Sequence, residues 1–329
     1  MSEKVVFLGM GGTIAGKAAQ AGDNVGYTAG QVAVSALLDS VPGLQLALGG
    51  RAVLSEQVCQ IDSKDLQHAD WLALAQRVRQ HLALPEVRGV VVTHGTDTLE
   101  ETAYFLSRVL PPVLQQKPVV ITCAMRPASS LTPDGPANMA DAATVATSEG
   151  ARGVLVVCAG KLHAAAHVQK VHPYRVDAFD SGEAGPLGMV EEGRLRLFNG
   201  WPAVNSEAGL VNLERLSQSD WPRVEILVSH GGAGGALVRS LLIAAPGDAP
   251  VRGIVVAGTG NGTIHKDVEA ALRIARAQGV RVARVSRCAY GQVVGASTQA
   301  RSGEFQAFGL SAVKARVELM LAIAADTQP

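Results

Sequence analysis

Cysteine is scarce in this 329-residue chain, with four in all and no Cys-x-x-Cys pair. Cys59, Cys123, Cys158 and Cys288 lie far apart, and three of them sit in or beside apolar runs. Reduced, buried thiols fit that distribution better than a disulfide framework or a thiolate metal site. Excess charge is missing too. Lys plus Arg and Asp plus Glu both number 29, for a formal net charge of zero. No basic run supplies a stripe that could track phosphates, which argues against nucleic acid as a partner. No apolar run approaches the length of a membrane span. The opening MSEKVVFLGMGG lacks the charged, then apolar, then small-residue layout of a secretory signal, so a cytoplasmic setting without membrane contact is expected. What is present is 47% hydrophobic and 18% charged, ordinary for an α/β chain with a large core. The length exceeds the usual size of one core, so two domains are expected.

Chemistry concentrates in Val90 to Leu106, VVVTHGTDTLEETAYFL. Three consecutive β-branched valines suit a strand buried on both faces of a parallel sheet. Thr98 and Glu101 read as a capping box, and Leu99, Ala103 and Leu106 form an apolar stripe at helical spacing. Between strand and helix lie Thr93, His94, Gly95, Thr96 and Asp97. In a parallel α/β sheet, loops at the carboxyl ends of strands bind ligands, and five polar or glycine residues there point to a site. The plainer alternative is that Asp97 and Thr98 cap a helix and Gly95 turns the chain.

Two other stretches deliver hydroxyls to the same kind of place. Val5 to Leu8 reads as a strand running into Gly9-Met-Gly-Gly-Thr-Ile-Ala-Gly16, which puts Thr13 in a glycine-rich turn. Gly16 to Gly30 then reads as a mobile loop carrying Tyr27, either as a reacting neighbour of the turn or as an aromatic plug. Arg51 to Val58 reads as a strand leading to Ile61-Asp-Ser-Lys-Asp65, with Asp62 or Ser63 as cap of a helix that buries Leu66, Ala69, Leu72, Ala75, Val78 and Leu82.

Further along, Val32 to Leu38 and Ala137 to Thr147 read as helices, and Gly153 to Val157 as a buried strand. His163 and His167 stand four apart, a metal spacing if helical, but Ala164 holds the place of the catalytic glutamate and no third ligand follows, so no metal is expected. Strand and helix signals weaken from Arg194 to Trp221, and residues 201–221 read as a linker between domains at 1–200 and 222–329. The second domain alternates strands (Val224 to Val228, Gly253 to Ala257, Val280 to Val285) with helices (Ala236 to Ile243, Lys266 to Gln278, Ala312 to Ala325), a flavodoxin-like parallel α/β pattern.

Familiar nucleotide and hydrolase motifs fail. GGTIAGKA is within one residue of a P-loop, but Ala18 replaces the hydroxyl that would hold magnesium. Ile14 blocks the dinucleotide fingerprint where a small residue is required. His230-Gly-Gly lacks any Gly-x-Ser-x-Gly elbow to serve.

Taken together, GGTIAG and THGTDTLEETAYFL resemble the two signatures of the bacterial-type L-asparaginases. AMRPASSLTPDGPANMADA, GPLG, GTGNG and a late KAR follow in the family's order, so the resemblance spans almost the whole chain. It implies hydrolysis of asparagine to aspartate and ammonia with no metal or cofactor, and a homotetramer with sites between paired subunits. It also implies a larger N-terminal domain built on a mixed sheet flanked by helices. By position, Thr13 would be the nucleophile and Tyr27 its neighbour, with Thr96, Asp97 and Lys170 completing the catalytic set. Ser63, Gly12, Thr96 and Asp97 would hold the substrate, Ser63 at its α-carboxylate.

These roles make chemical sense. A threonine hydroxyl attacks an amide only after losing its proton to a base, and a lysine kept neutral by burial can draw a proton through Thr96. Backbone N–H groups at the glycine turn and at Thr96 would hold the oxyanion, and Asp97 would meet the substrate ammonium.

Two departures touch specificity. Lys64 stands where relatives often carry a neutral residue, and Arg287 to Ala300 contains no acidic residue where many place a glutamate. Thr263 would line the same wall, which bears on the choice between the two amides; with Asp97 fixing the ammonium, asparagine is expected to be preferred with a detectable glutamine activity. A broad glutaminase-asparaginase, a P-loop-like nucleotide enzyme and a non-catalytic amino-acid-binding protein remain as alternatives.

Overall fold

The computed structural model describes residues 3–204, 213–217, 220–244, 246–295 and 305–326. The chain divides into two compact units, Met1–Gly209 and Leu210–Pro329.

In the first unit, β1 (Lys4–Gly11) lies between β2 (Ala52–Ile61) and β3 (Val87–Thr93), both parallel to it. β4 (Pro118–Thr122) and β5 (Gly153–Cys158) extend the parallel run beyond β3. β6 (Lys161–Ala164), β7 (Gly188–Glu191) and β8 (Arg194–Leu197) then add antiparallel strands, completing an eight-stranded mixed sheet of order β8-β7-β6-β5-β4-β3-β1-β2. Helices α1 (Val34–Asp39), α2 (His68–Leu82), α3 (Leu99–Val109) and α4 (Gly135–Thr147) flank it. Phe7 pairs with Val91, and Val91 with Val120, all at 0% exposure. Such runs satisfy a strand covered on both faces, and each side chain buried this way contributes about 1.5–3 kcal/mol.

Strand order reverses at β1, because the chain goes next to its neighbour on one side and then to β3 on the other. Loops leaving the carboxyl ends at such a reversal part from one another and leave a crevice. Thr13, Ser63 and Thr96 follow β1, β2 and β3 respectively, so all three hydroxyls arrive at that edge.

Several local expectations are corrected. Thr98 precedes α3, but its side chain makes no cap; the hydroxyl donates instead to the Ser63 carbonyl at 2.9 Å. Asp62 caps only the short turn Ser63–Asp65, while α2 starts at His68 behind a reciprocal Gln67–Asp70 cap. Its buried face is Trp71, Leu74, Ala75, Val78, His81 and Leu82. Leu66 precedes this helix and Ala69 is exposed, because Trp71 takes the core position and rotates the stripe. Arg194–Leu197, expected to carry no regular structure, is the edge strand β8; its arginines suit a sheet edge and hid the alternation. Part of the expected linker, 205–212 and 218–219, lies outside the described residues, and a helical turn occupies Leu213–Leu216.

The second unit carries a parallel four-stranded sheet, β9 (Arg223–Val228), β10 (Val251–Gly258), β11 (Arg281–Ser286) and the unforeseen β12 (Gln306–Ala307). Helices α5 (Ala236–Leu241), α6 (Lys266–Ala277) and α7 (Ala312–Asp326) accompany it. Among the described residues, no helix is long and apolar enough to cross a membrane.

Candidate active site

Two turns at the reversal touch backbone to backbone. Gly12 sits at φ 79° and ψ −170°, and a Cβ there would lie 2.2 Å from the Gly95 Cα. Only glycine permits that approach. Thr13 and Thr96 each follow one of these glycines, so both threonines start within one Cα–Cα step, about 3.8 Å, of a single point of contact. The Gly12 N–H donates to the Ile61 carbonyl at 2.8 Å, and the Gly12 carbonyl accepts from Ala15 and Gly30. Gly12 therefore contributes close approach rather than a free donor for an oxyanion. Thr13–Ala15 forms one turn of 3-10 helix, followed by strand at Lys17–Ala18. No helix opens there to cradle phosphates, which removes the P-loop alternative.

The segment after this turn is more ordered than a plain loop. Lys17–Ala18 pairs antiparallel with Tyr27–Thr28, Ala18 opposite Tyr27. This hairpin turns Tyr27 back over Gly16 and brings its hydroxyl to 2.6 Å from Thr13 Oγ1. Thr13 is 7% exposed.

The second turn is braced from below. Trp71 Nε1, a donor only, donates to Thr102 Oγ1 at 2.8 Å, and Thr102 Oγ1 lies 3.0 Å from His94 Nε2. The Gly95 carbonyl can only accept, so His94 Nδ1 carries the proton and donates to it at 2.7 Å. In the neutral ring Nε2 is then the acceptor, and Thr102 donates its hydroxyl proton to it. Burial pushes the His94 pKa down to about 4 against a smaller opposing effect of the Gly95 carbonyl, so the ring is neutral near pH 7. Thr102 and Trp71 were absent from the sequence reading of the site. A hydroxyl eight residues beyond His94, on the buried face of α3, was the signal available.

Above this brace, Lys170 Nζ donates to Thr96 Oγ1 at 2.8 Å and to Asp97 Oδ1 at 2.6 Å. Lys170 comes from the short strand Gln169–Lys170, paired with Phe179–Asp180, and its own N–H donates to Glu100 Oε1 at 3.3 Å. It is an ion-pair partner of Asp97 and not the isolated buried amine expected. Ser63 Oγ, 3% exposed, accepts from the Asp97 N–H at 3.3 Å, so the hydroxyl proton remains to be donated to an anion. Lys64 turns to its neighbours, with Nζ 2.7 Å from Asp62 and 3.1 Å from Asp65.

The structure thus brings Thr13 and Tyr27 together on one turn, Thr96, Asp97 and Lys170 on the other, and Ser63 beside the second. Such a set can deprotonate a hydroxyl, attack a carbonyl and hold an amino acid by both its charged groups. His163 lies on β6, with Nδ1 2.8 Å from Ser181 Oγ, and His167 lies beyond that strand, so the two share no helix face. Among the described residues no group of three metal-capable side chains occurs. Cys123 and Cys158 are buried, and Cys288 is exposed. Thr263 belongs to a tight loop after β10, where Asn261 exchanges two hydrogen bonds with Val294. Residues 296–300 of the acid-free stretch lie outside the described residues.

Comparison with known proteins adds a second line of observation. The family model "Asparaginase, N-terminal" matches residues 4–202, and "Glutaminase/Asparaginase C-terminal domain" matches 223–329. A glutaminase-asparaginase of Pseudomonas fluorescens biotype A is 36% identical over 328 residues, covering 97% of this chain and 86% of its own. L-asparaginase 2 of Escherichia coli K12 is 34% identical over 333 residues, covering 99% and 90%. A crystal structure of a probable cytoplasmic L-asparaginase from Campylobacter jejuni superposes with a TM-score of 0.88 at 34% identity, covering 98% of this chain and 95% of its own.

Proposed function

The chain belongs to the asparaginase family, and we propose that it is an L-asparaginase hydrolysing L-asparagine to L-aspartate and ammonia through an ester on Thr13. The observation that carries the reading is the 2.6 Å hydrogen bond between Thr13 and Tyr27 on the turn that abuts the Thr96–Asp97–Lys170 cluster.

Asparagine enters with its α-carboxylate on the Ser63 hydroxyl and its ammonium on Asp97, whose carboxylate side chain is 52% exposed and open to a second cation. Tyr27 relays a proton, its oxygen accepting that of Thr13 while its own phenol proton passes to the amide nitrogen, and Oγ1 attacks the side-chain amide carbon. The tetrahedral intermediate collapses as the C–N bond breaks, with the nitrogen leaving as ammonia after gaining a proton. The substrate ammonium shares the Asp97 carboxylate with Lys170, whose Nζ keeps donating to Thr96 Oγ1 and orients that hydroxyl. Water then attacks the ester, its proton passing through Tyr27 to Thr13 Oγ1 as the acyl C–O bond breaks, which releases aspartate and restores the Thr13 hydroxyl. None of these steps calls for a metal or cofactor.

We assign catalysis to residues 1–200, and 222–329 to a supporting α/β domain. We further assign the chain to a cytoplasmic homotetramer with sites at subunit interfaces. A broader glutaminase-asparaginase is the second reading, favoured by the absence of an acidic side chain in Arg287 to Ala300. Ammonia release by the purified chain, measured with asparagine and then glutamine, decides between them. No release from either amide would overturn both.

A further inference from the structure

Tyr27 acts only if its hydroxyl stays against Thr13, and the hairpin that carries it is lightly held. Asp23 Oδ1 accepts from the Val25 and Gly26 N–H groups, which shapes the tip but ties it to nothing else. Among the described residues, two hydrogen bonds join residues 17–28 to the rest of the chain. One is Tyr27 to Thr13; the other is the Ala18 N–H donating to Ser129 Oγ at 2.8 Å. Ala18 is the register partner of Tyr27, so the anchor falls directly across the hairpin from the tyrosine.

Ser129 itself sits in a loop held by several hydrogen bonds. The Asp134 carboxylate accepts from the N–H groups of Met125 and Arg126, both at 2.9 Å. Arg126 Nη1 donates to the Thr132 carbonyl and hydroxyl, and Ser130 closes a turn onto the Pro127 carbonyl. Asn138 of α4 ties this loop to the sheet, donating to the Cys123 carbonyl and to Asp134. One end of the hairpin anchor is therefore fixed to the main body of the unit, and the other to the strand that pairs with Tyr27.

We propose that Ser129 is a positioning residue for the reaction: by accepting the Ala18 N–H it sets the Tyr27 hydroxyl against Thr13. The assignment rests on the asparaginase reading. A tyrosine displaced by about 1 Å from its partner loses up to roughly a hundredfold in rate. Loss of one neutral hydrogen bond displaces it part of the time. Ser129→Ala is therefore expected to lower kcat for asparagine about tenfold with KM changed less than about twofold. Ser129→Thr keeps the oxygen and should restore most of the rate.

The decisive measurement is a double-mutant cycle with hydrogen exchange alongside it. In a Tyr27→Phe background, Ser129→Ala should cost less than about twofold, because the group it positions is already gone. Amides of residues 17–28 should exchange faster in Ser129→Ala, with exchange in β1 and β3 unchanged. Equal losses in both backgrounds, an unchanged kcat, no rescue by threonine, or unaltered hairpin exchange would each overturn the proposal. Should the native chain release no ammonia from either amide, the asparaginase reading fails. Hairpin exchange in Ser129→Ala then still decides whether Ser129 anchors the Tyr27 strand.

Discussion

The two turns that meet at Gly12 and Gly95 carry comparable chemistry on unequal supports. The Thr96 turn rests on a buried chain from Trp71 through Thr102 to His94, with Ser63 and Lys170 closing it from the sides. The Thr13 turn relies for its tyrosine on a hairpin with two outside hydrogen bonds among the described residues and a tip at Val25 that is 75% exposed. A fixed half suits the binding of charged groups that every substrate shares. A lightly held half suits a group that must let substrate in and then return to its proton.

Removing the reacting atoms separates chemistry from support most sharply. Thr13→Ala should lower kcat by about 10³-fold or more. The fold should survive, because among the described residues the hydroxyl bonds to Tyr27 alone and the turn's shape is set by backbone bonds. Near-normal ammonia release by a folded Thr13→Ala chain would remove Thr13 from the chemistry.

Acid should attack the braced half. His94 titrates near 6.5 when unfolded and about 4 in the fold, so between those values the unfolded chain binds more protons. Its contribution is complete above about pH 6.5 and is lost as pH falls toward 4, on the order of 3 kcal/mol in all. Asp141, half-buried on α4, is pushed up by burial to about 6 from 3.8. Between those values the fold holds more protons, so Asp141 costs stability as pH rises and partly masks His94. Asp141→Asn should therefore raise the denaturation midpoint at pH 7 and steepen its fall between pH 6.5 and 4. A parallel shift at every pH would discard this account.

Tyr27→Phe probes the lightly held half. The ring still packs over Gly16, so KM for asparagine should change little while kcat falls roughly ten- to a hundredfold. An unchanged kcat would return Tyr27 to a packing role.

The same contrast decides what could be read in the sequence. The valine runs of β3 and the glycine turn after β1 were legible because burial on both faces and tight backbone approach each require particular residues. The arrival of Thr13, Ser63 and Thr96 at one edge followed from strand ends alone. Lys170 was legible only by family resemblance, since its route to Thr96 runs through a two-residue strand with no periodic signal. The Trp71–Thr102–His94 brace was hidden for another reason. Its members look like ordinary core residues of two helices and a strand end, and only tertiary packing aligns their polar atoms. The Thr98 capping box misled because the hydroxyl found a carbonyl outside its own helix, at Ser63. At β8, alternating arginines masked a strand whose polar side faces out.

The smallest effect is expected at Lys64, although its charge stands next to the residue proposed to bind the substrate carboxylate. Its ammonium contacts Asp62 and Asp65, which push its pKa up to about 12, and its side chain is 60% exposed. A charge so paired and solvated exerts little field a few ångströms away. The Ser63 support also survives its removal. Asp62 caps the turn through the Lys64 backbone N–H, while Asp97 N–H and Thr98 Oγ1 hold Ser63 from the other turn. Glutamine differs from asparagine by one methylene, which an apolar contact distinguishes by only about 1–3 kcal/mol. Larger discrimination requires both α-groups to be fixed, so that the extra methylene displaces the amide carbon from Thr13. Asp97 and Ser63 fix them without Lys64. Lys64→Gln should thus leave the ratio of kcat/KM for asparagine over glutamine within about twofold of the native chain. A shift beyond about fivefold would mean that the Lys64 charge reaches the substrate ammonium despite its two carboxylates. Selectivity would then be set partly at the rim of the braced half, and the division between a fixed binding half and a lightly held reacting half would have to be redrawn.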